Sequence, residues 1–191
     1  MMPIPRSVAR FNDDRASQIV EFAVSLPLLV LFVVGIFDFS GALSLKQKLT
    51  NAAREGARVA AADPFSDVGF PSGVPASVSD AFQVVDNYLL SEKINDCGLA
   101  GSLTPTQNLG TLQWTSPTLT GCPGGTGLTL TVDRGCTTPQ VSGQSTINVV
   151  NTCVTILYPY SWRFTGVSGL FGRSFVPPIG ITASAVAFNE N

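Results

Sequence analysis

Glu21 is the residue whose chemistry stands out first. It lies near the start of a run from Ile19 to Phe37 whose only other polar residue is Ser25. A carboxylate in a membrane helix costs a few kcal/mol at mid-bilayer and less near the interface. Two readings follow: Glu21 is hydrated among headgroups, or it pairs with a cation supplied at that depth. The second chemistry-bearing set is Cys97, Cys122, Cys136 and Cys153, which all follow residue 96 and show no C-x-x-C spacing. With no histidine in the chain, a zinc site is disfavoured and two structural disulfides are expected, each contributing ~2–4 kcal/mol. Three connectivities are open, and the working pairing is Cys97–Cys122 with Cys136–Cys153.

Catalytic chemistry finds little support. The lack of histidine removes the commonest general base, and the carboxylates after Ala62 are scattered with no spacing that pairs them on one element. The Gly-rich TGCPGGTGL stretch has no following lysine or helix and reads as turn material, so no cofactor and no metal are expected. Trp114, Tyr158, Tyr160, Trp162 and Phe164 could form a ligand surface, but aromatics on strands more often fill cores or pair across strands. A formal charge of −2 argues against nucleic acid as a partner. The charged share of 13% is low against an ordinary value of about 25%.

The elements that would position these residues divide the chain in three. Residues 1–16 form a basic arm with Arg6, Arg10 and Arg15. Residues 17–62 read as one helix, roughly 65–70 Å long, whose segment 19–37 has the length of a bilayer crossing. Pro27 introduces a tolerable bend, and Asp38 marks the outer end of the run rather than a buried charge. Arginines before the run outweigh Lys46 and Lys48 after it, which favours a cytoplasmic N-terminus. The cysteines agree, since disulfides belong to an oxidising compartment. Near the helix end, Ala53, Gly56, Ala57 and Ala60 share a narrow face fit for close packing, on the protein's own sheet or on another subunit. Arg54, Glu55 and Arg58 lie opposite, with Glu55 and Arg58 at i,i+3.

Residues 63–191 read as an extracytoplasmic domain. Asp63-Pro64 stops the helix, and a second helix is expected over about Ser77–Ile94, capped by Ser77 or Ser79 and followed by Gly98. Strands are expected at Leu112–Thr115, Gly127–Arg134, Thr146–Tyr160 and Ile181–Phe188, with TTPQVSGQS as a hairpin loop and Gly166–Pro178 as a longer surface loop. The fold class is α+β: a long membrane-spanning helix, then a small domain with a mainly antiparallel sheet packed on helices.

The N-terminal block resembles the TadE-like proteins of the tight-adherence (Flp) pilus and secretion machinery. The resemblance rests on Ala16-Ser17, Val20-Glu21-Phe22, Leu26-Pro27-Leu28-Leu29 and the AAREGAR segment Ala52–Arg58, in that order. VTILYPY and ITASAVAF look similar to the strands that end such chains. The resemblance implies a non-enzymatic pseudopilin-like component of a bacterial inner membrane, single-pass and open to incorporation into a pilus. It also implies processing by a prepilin peptidase between Ala16 and Ser17, which would put Glu21 at mature position five. The new amine of Ser17 would then lie about one helical turn from Glu21, able to pair within the chain or with a neighbour. Pilin-like leaders carry glycine where this chain has Ala16, a residue small enough for a tight peptidase subsite. The partners implied are the membrane, TadE/TadF-type pseudopilins and the major Flp pilin. The competing reading is a secreted binding protein or hydrolase with a cleaved signal peptide, for which Ser40 and Ala42 offer a small-x-small site.

Overall fold

A computed structural model describes residues 14–69, 73–102, 104–117, 119, 121–122, 127–142, 145–162 and 180–189. The first described element is helix α1, Asp14–Ala62, of 49 residues with Pro27 inside it, and most of the basic arm lies outside the described residues. Apolar residues cover every side of its first half: Ile19, Phe22, Val24, Leu28 and Phe32 are all strongly exposed. A helix apolar all round and bare of protein has the character of a membrane span. The stretch from Ser17 is long and apolar enough to cross a bilayer, and its most hydrophobic window is bare on all sides. Beyond Val34 the pattern changes. Asp38, Ala42, Leu45, Leu49, Ala52, Ala53, Gly56, Ala57 and Ala60 recur at helical spacing, and this stripe turns towards the rest of the chain. One rod therefore presents two surfaces, bare and apolar in its first half and core-forming further along.

After a 3₁₀ turn (Phe65–Gly69) comes α2, Ala76–Ser91, which buries Val78, Ala81, Phe82, Val85 and Leu89. Its N-cap is Pro75 rather than a serine. The Ser77 amide donates to Asp67 Oδ2 at 2.9 Å, so a carboxylate ten residues upstream does the capping expected of Ser77 or Ser79. The helix ends at a left-handed Lys93 (φ 57°), ahead of Gly98, with the Ile94 amide returning to the Leu89 carbonyl at 2.8 Å.

Among the described residues five antiparallel strands follow in sequence order: β1 (Thr106–Gln107), β2 (Gln113–Thr115), β3 (Thr129–Ser142), β4 (Ser145–Pro159) and β5 (Gly180–Phe188). The inner face carries Leu130 and Val132 from β3, Val154, Ile156 and Tyr158 from β4, and Ala183 and Ala185 from β5. These meet α1 and α2 in one core, with Trp114 of β2 opposite Val132. The fold is α+β, as the pattern of apolar residues implies.

The expected hairpin loop TTPQVSGQS is a correction. Residues 137–142 continue β3 and pair with Ser145–Val150, so the two strands run to 14 and 15 residues. This outer arm shows Val141, Ile147 and Val150 to solvent. Its sequence reads as loop because neither face is buried and no alternation is required. Between Asp133 and Cys136 β3 carries one extra residue, a bulge, where Gly135 passes close to the Leu112 side chain. The expected loop Gly166–Pro178 and Phe164 lie outside the described residues.

Candidate assembly site

Ala16 and Ser17 both fall within α1, and Ser17 and Glu21 lie on its exposed, protein-free first turns. Among the described residues no cation pairs with Glu21. The structure thus presents this end of the helix to whatever surrounds it and leaves the processing step to be tested.

The small-residue face behaves differently. Ala53, Ala57 and Ala60 are fully buried, and their contact surface includes α2 as well as the sheet. At Gly56 α1 lies close against α2. A methyl group there would stand 2.7 Å from Val85 Cγ2, 3.5 Å from the Ala81 carbonyl oxygen and 3.8 Å from Val154 Cγ1. No side chain larger than hydrogen fits without moving a stiff, β-branched neighbour. On the opposite side Glu55 and Arg58 approach at 3.7 Å, and Lys48 reaches Glu92 beyond the end of α2 at 3.0 Å. Both pairs are exposed enough to contribute little.

The residue that reading by spacing missed is Arg134. It is wholly buried in β3, within the bulge between Asp133 and Cys136. Its guanidinium donates to the carbonyls of Ala60 and Asp63 (3.0 Å to the latter) and to Thr152 Oγ1 at 3.1 Å. The carbonyls belong to the last turn and exit of α1, where a helix leaves acceptors without donors and accumulates negative potential. Asp67 approaches at 3.8 Å and the Phe65 ring lies under the guanidinium at 5.7 Å. Burial pulls the guanidinium below its ordinary pKa, with Asp67 and then Asp63 pushing it back up. Arg134 is therefore a cationic cap for α1 delivered by the sheet, seventy-odd residues away. Nothing in its neighbourhood of sequence (VDRGC) announces this; an arginine on an inward-facing strand position was the available signal.

The Asp38 expectation is also corrected. Asp38 is buried, because Tyr160, just past the end of β4, lies across it. The phenol hydroxyl contacts Asp38 Oδ1 at 3.1 Å and the Asp38 carbonyl at 3.2 Å. Gly41 makes room: a Cβ there would meet the phenol oxygen at 3.3 Å. Trp162 stacks edge-on against the Tyr160 ring, centroids 5.0 Å apart. Of the other aromatics, Trp114 and Tyr158 are core residues.

Cys97 is bonded to Cys122, with Cα atoms 4.6 Å apart, and Cys136 to Cys153 at 6.0 Å. The first joins the loop after α2 to the segment before β3. The second bridges the bulge, since Cys153 pairs in register with Asp133 rather than with Cys136. The carboxylates are not all scattered. Asp86 on α2 is buried and faces Asp96, and its pKa is raised by burial first and then by the charge and hydrogen bond of Asp96. Asp96 also contributes to the raised pKa of Tyr158, again after burial. Among the described residues no group of three or more His, Cys, Asp or Glu side chains could hold a metal ion.

The geometry is that of a helix bare and apolar at its start and clamped to its own domain further along. The chain matches no curated protein and no solved structure. Residues 16–58, from the Ala16-Ser17 step through the apolar half of α1 to Arg58, match the family model described as TadE-like protein, and in this segment the chain is similar to that family.

Proposed function

We propose that the chain is a non-enzymatic, pseudopilin-like component of Tad (Flp) pilus assembly or a related secretion system. The TadE-like match supports the coarser part, a component associated with a Tad pilus. The finer part rests on one observation: the matched segment coincides with a helix that is bare and apolar at its start and small-faced and buried at its end. In this reading the arginine-bearing N-terminus stays in the cytoplasm, residues 19–37 cross the inner membrane, and residues 63–191 stand outside it. Disulfide formation in that domain fits the same orientation. Prepilin peptidase cuts between Ala16 and Ser17. The amine so formed pairs with Glu21 of this or a neighbouring chain, which offsets the cost of a carboxylate in the membrane. TadE/TadF-type companions and the major Flp pilin are the partners that this reading implies.

N-terminal sequencing of the mature protein tests it. A start at Ser17 supports the pseudopilin, and an intact Met1 leaves a plain anchor. A start near Leu43 would indicate a signal peptide and sink the reading. Against that outcome, α1 runs unbroken through Ser40–Ala42, and Ala42 is buried in the domain. Glu21→Ala is expected to reduce pilus production while leaving membrane insertion intact; normal piliation would remove Glu21 from the mechanism.

A further inference from the structure

We infer that Tyr160 and Trp162 form a headgroup-level anchor that seats the C-terminal domain on the bilayer around the exit of α1. The inference rests on the reading of α1 as a membrane span, and goes beyond it by giving the domain its own lipid contact. Three observations meet at one level of the helix. On the side of α1 that faces the end of β4, the bare apolar surface reaches Phe37, which is 75% exposed, and the next residue is the buried Asp38, while Phe39 and Leu43 carry exposed apolar surface onward on another side. Tyr160 holds Asp38 by a hydroxyl–carboxylate contact at 3.1 Å, and Gly41, one turn along, leaves space for the phenol. Trp162, partly exposed, stands edge-on to Tyr160.

The chemistry of that level is interfacial. Tyrosine and tryptophan concentrate where hydrocarbon gives way to headgroups, because an apolar ring and a polar tip are both satisfied there. A cleft of about 450 Å³ lies between the helix and the end of β4, lined by Val34 and Phe37 on its apolar side and by Asp38, Tyr160 and Ser161 on its polar side. Val34 and Phe37 continue the lipid-facing surface of α1, so the occupant is continuous with the solvent of the span: a phospholipid, its acyl chain against Phe37 and its glycerol and headgroup beside Ser161. Lys46 follows roughly 12 Å further along the helix, on the water side. Pairing by Tyr160 also lowers the cost of holding Asp38 at the boundary.

The test uses the full chain in phosphatidylcholine vesicles brominated either near the headgroup end or near the terminus of the acyl chains. The protein has two tryptophans, and Trp114 is buried in the core, so it is an internal reference. Shallow bromines are expected to quench wild-type emission several-fold more than deep ones, and Trp162→Phe is expected to abolish most of that quenching. Vesicle flotation is run on the same samples. Flotation with equal quenching in wild type and Trp162→Phe, or with deep bromines the stronger quenchers, overturns the anchor alone. Failure of the chain to float overturns the membrane reading and the anchor with it.

Discussion

Replacing Arg134 by methionine tests the claim that the sheet caps the long helix. Methionine keeps much of the length and removes the charge. The change strips donors from the Ala60 and Asp63 carbonyls and from Thr152 Oγ1, and takes the cation away from Asp67. Thr152 retains a partner, because its hydroxyl donates to Asn189 Oδ1. Two acceptors at the helix end remain, each costing about 1–3 kcal/mol when left buried and unpaired. Asp67 is 21% exposed and recovers some water, which reduces the penalty on its side. Relief from burying a guanidinium acts in the opposite direction. Removing one partner of a buried pair while its carboxylates stay costs about 3–5 kcal/mol in general, and the hydration of Asp67 argues for the lower end, ~3 kcal/mol. In urea, with a slope of about 2 kcal/mol/M, that corresponds to a midpoint lowered by roughly 1.5 M. The assay is a urea titration of the full chain in detergent micelles, followed by near-ultraviolet circular dichroism of the domain. Far-ultraviolet signal is unsuitable because the apolar half of α1 dominates it. Arg134→Lys should fall between, since one ammonium cannot serve acceptors spread around a planar fork. A midpoint equal to or above wild type for Arg134→Met would refute the capping argument.

The remaining predictions concern the other contacts of the core. Gly56→Ala should lower stability by ~1–3 kcal/mol despite alanine's better helix propensity, and Val85→Ala in the same background should recover part of the loss; additive losses would refute the close approach. Asp86 has a folded-state pKa raised above its unfolded value, so it binds more protons folded than unfolded. Its protonation supports the fold fully below the unfolded value, and that contribution is lost as pH rises through the folded value. Relative to Asp86→Asn, wild type should therefore lose stability from about pH 4 upward in a urea series, and Asp96→Asn should reduce the slope without abolishing it, because burial remains the larger cause. A wild-type slope equal to that of Asp86→Asn would contradict this. The disulfides close separations of 25 and 17 residues, for which chain entropy gives about 3 kcal/mol each. Cys136→Ser with Cys153→Ser should lower the thermal midpoint measurably, and an unchanged midpoint would mean that the bulge is held by its backbone alone.

What could be read before the fold was seen has a physical pattern. The apolar stretch of α1 and its small-residue face are local properties of one helix, recorded in hydropathy and in a period of three to four residues, so both were legible. The same holds for α2 and for the inner stretches of β3, β4 and β5, where one buried face enforces alternation. The outer β3–β4 arm was hidden because it buries neither face, and Pro139 with the neighbouring Thr and Ser residues imitates a loop. Arg134 with Ala60, Tyr160 with Asp38 and Asp86 with Asp96 were invisible for another reason. The first two pairs are separated by 74 and 122 residues, and only the packing of the sheet on the rod brings them together. Asp67 took the capping role expected of a serine because the 3₁₀ turn folds it back over the start of α2.

The arrangement of α1 has a mechanical corollary. A rod that merely carried a domain on a linker would shed load by peeling, one contact at a time. Here the upper half of the rod is a wall of the core from Leu49 to Ala60, tied at its far end by Arg134 and at its near end by Tyr160. A pull along the axis of α1 must slide that whole interface at once. Such shear loading engages every contact in parallel and makes the domain a stiff extension of the rod, able to pass force between the apolar end of α1 and whatever grips the sheet.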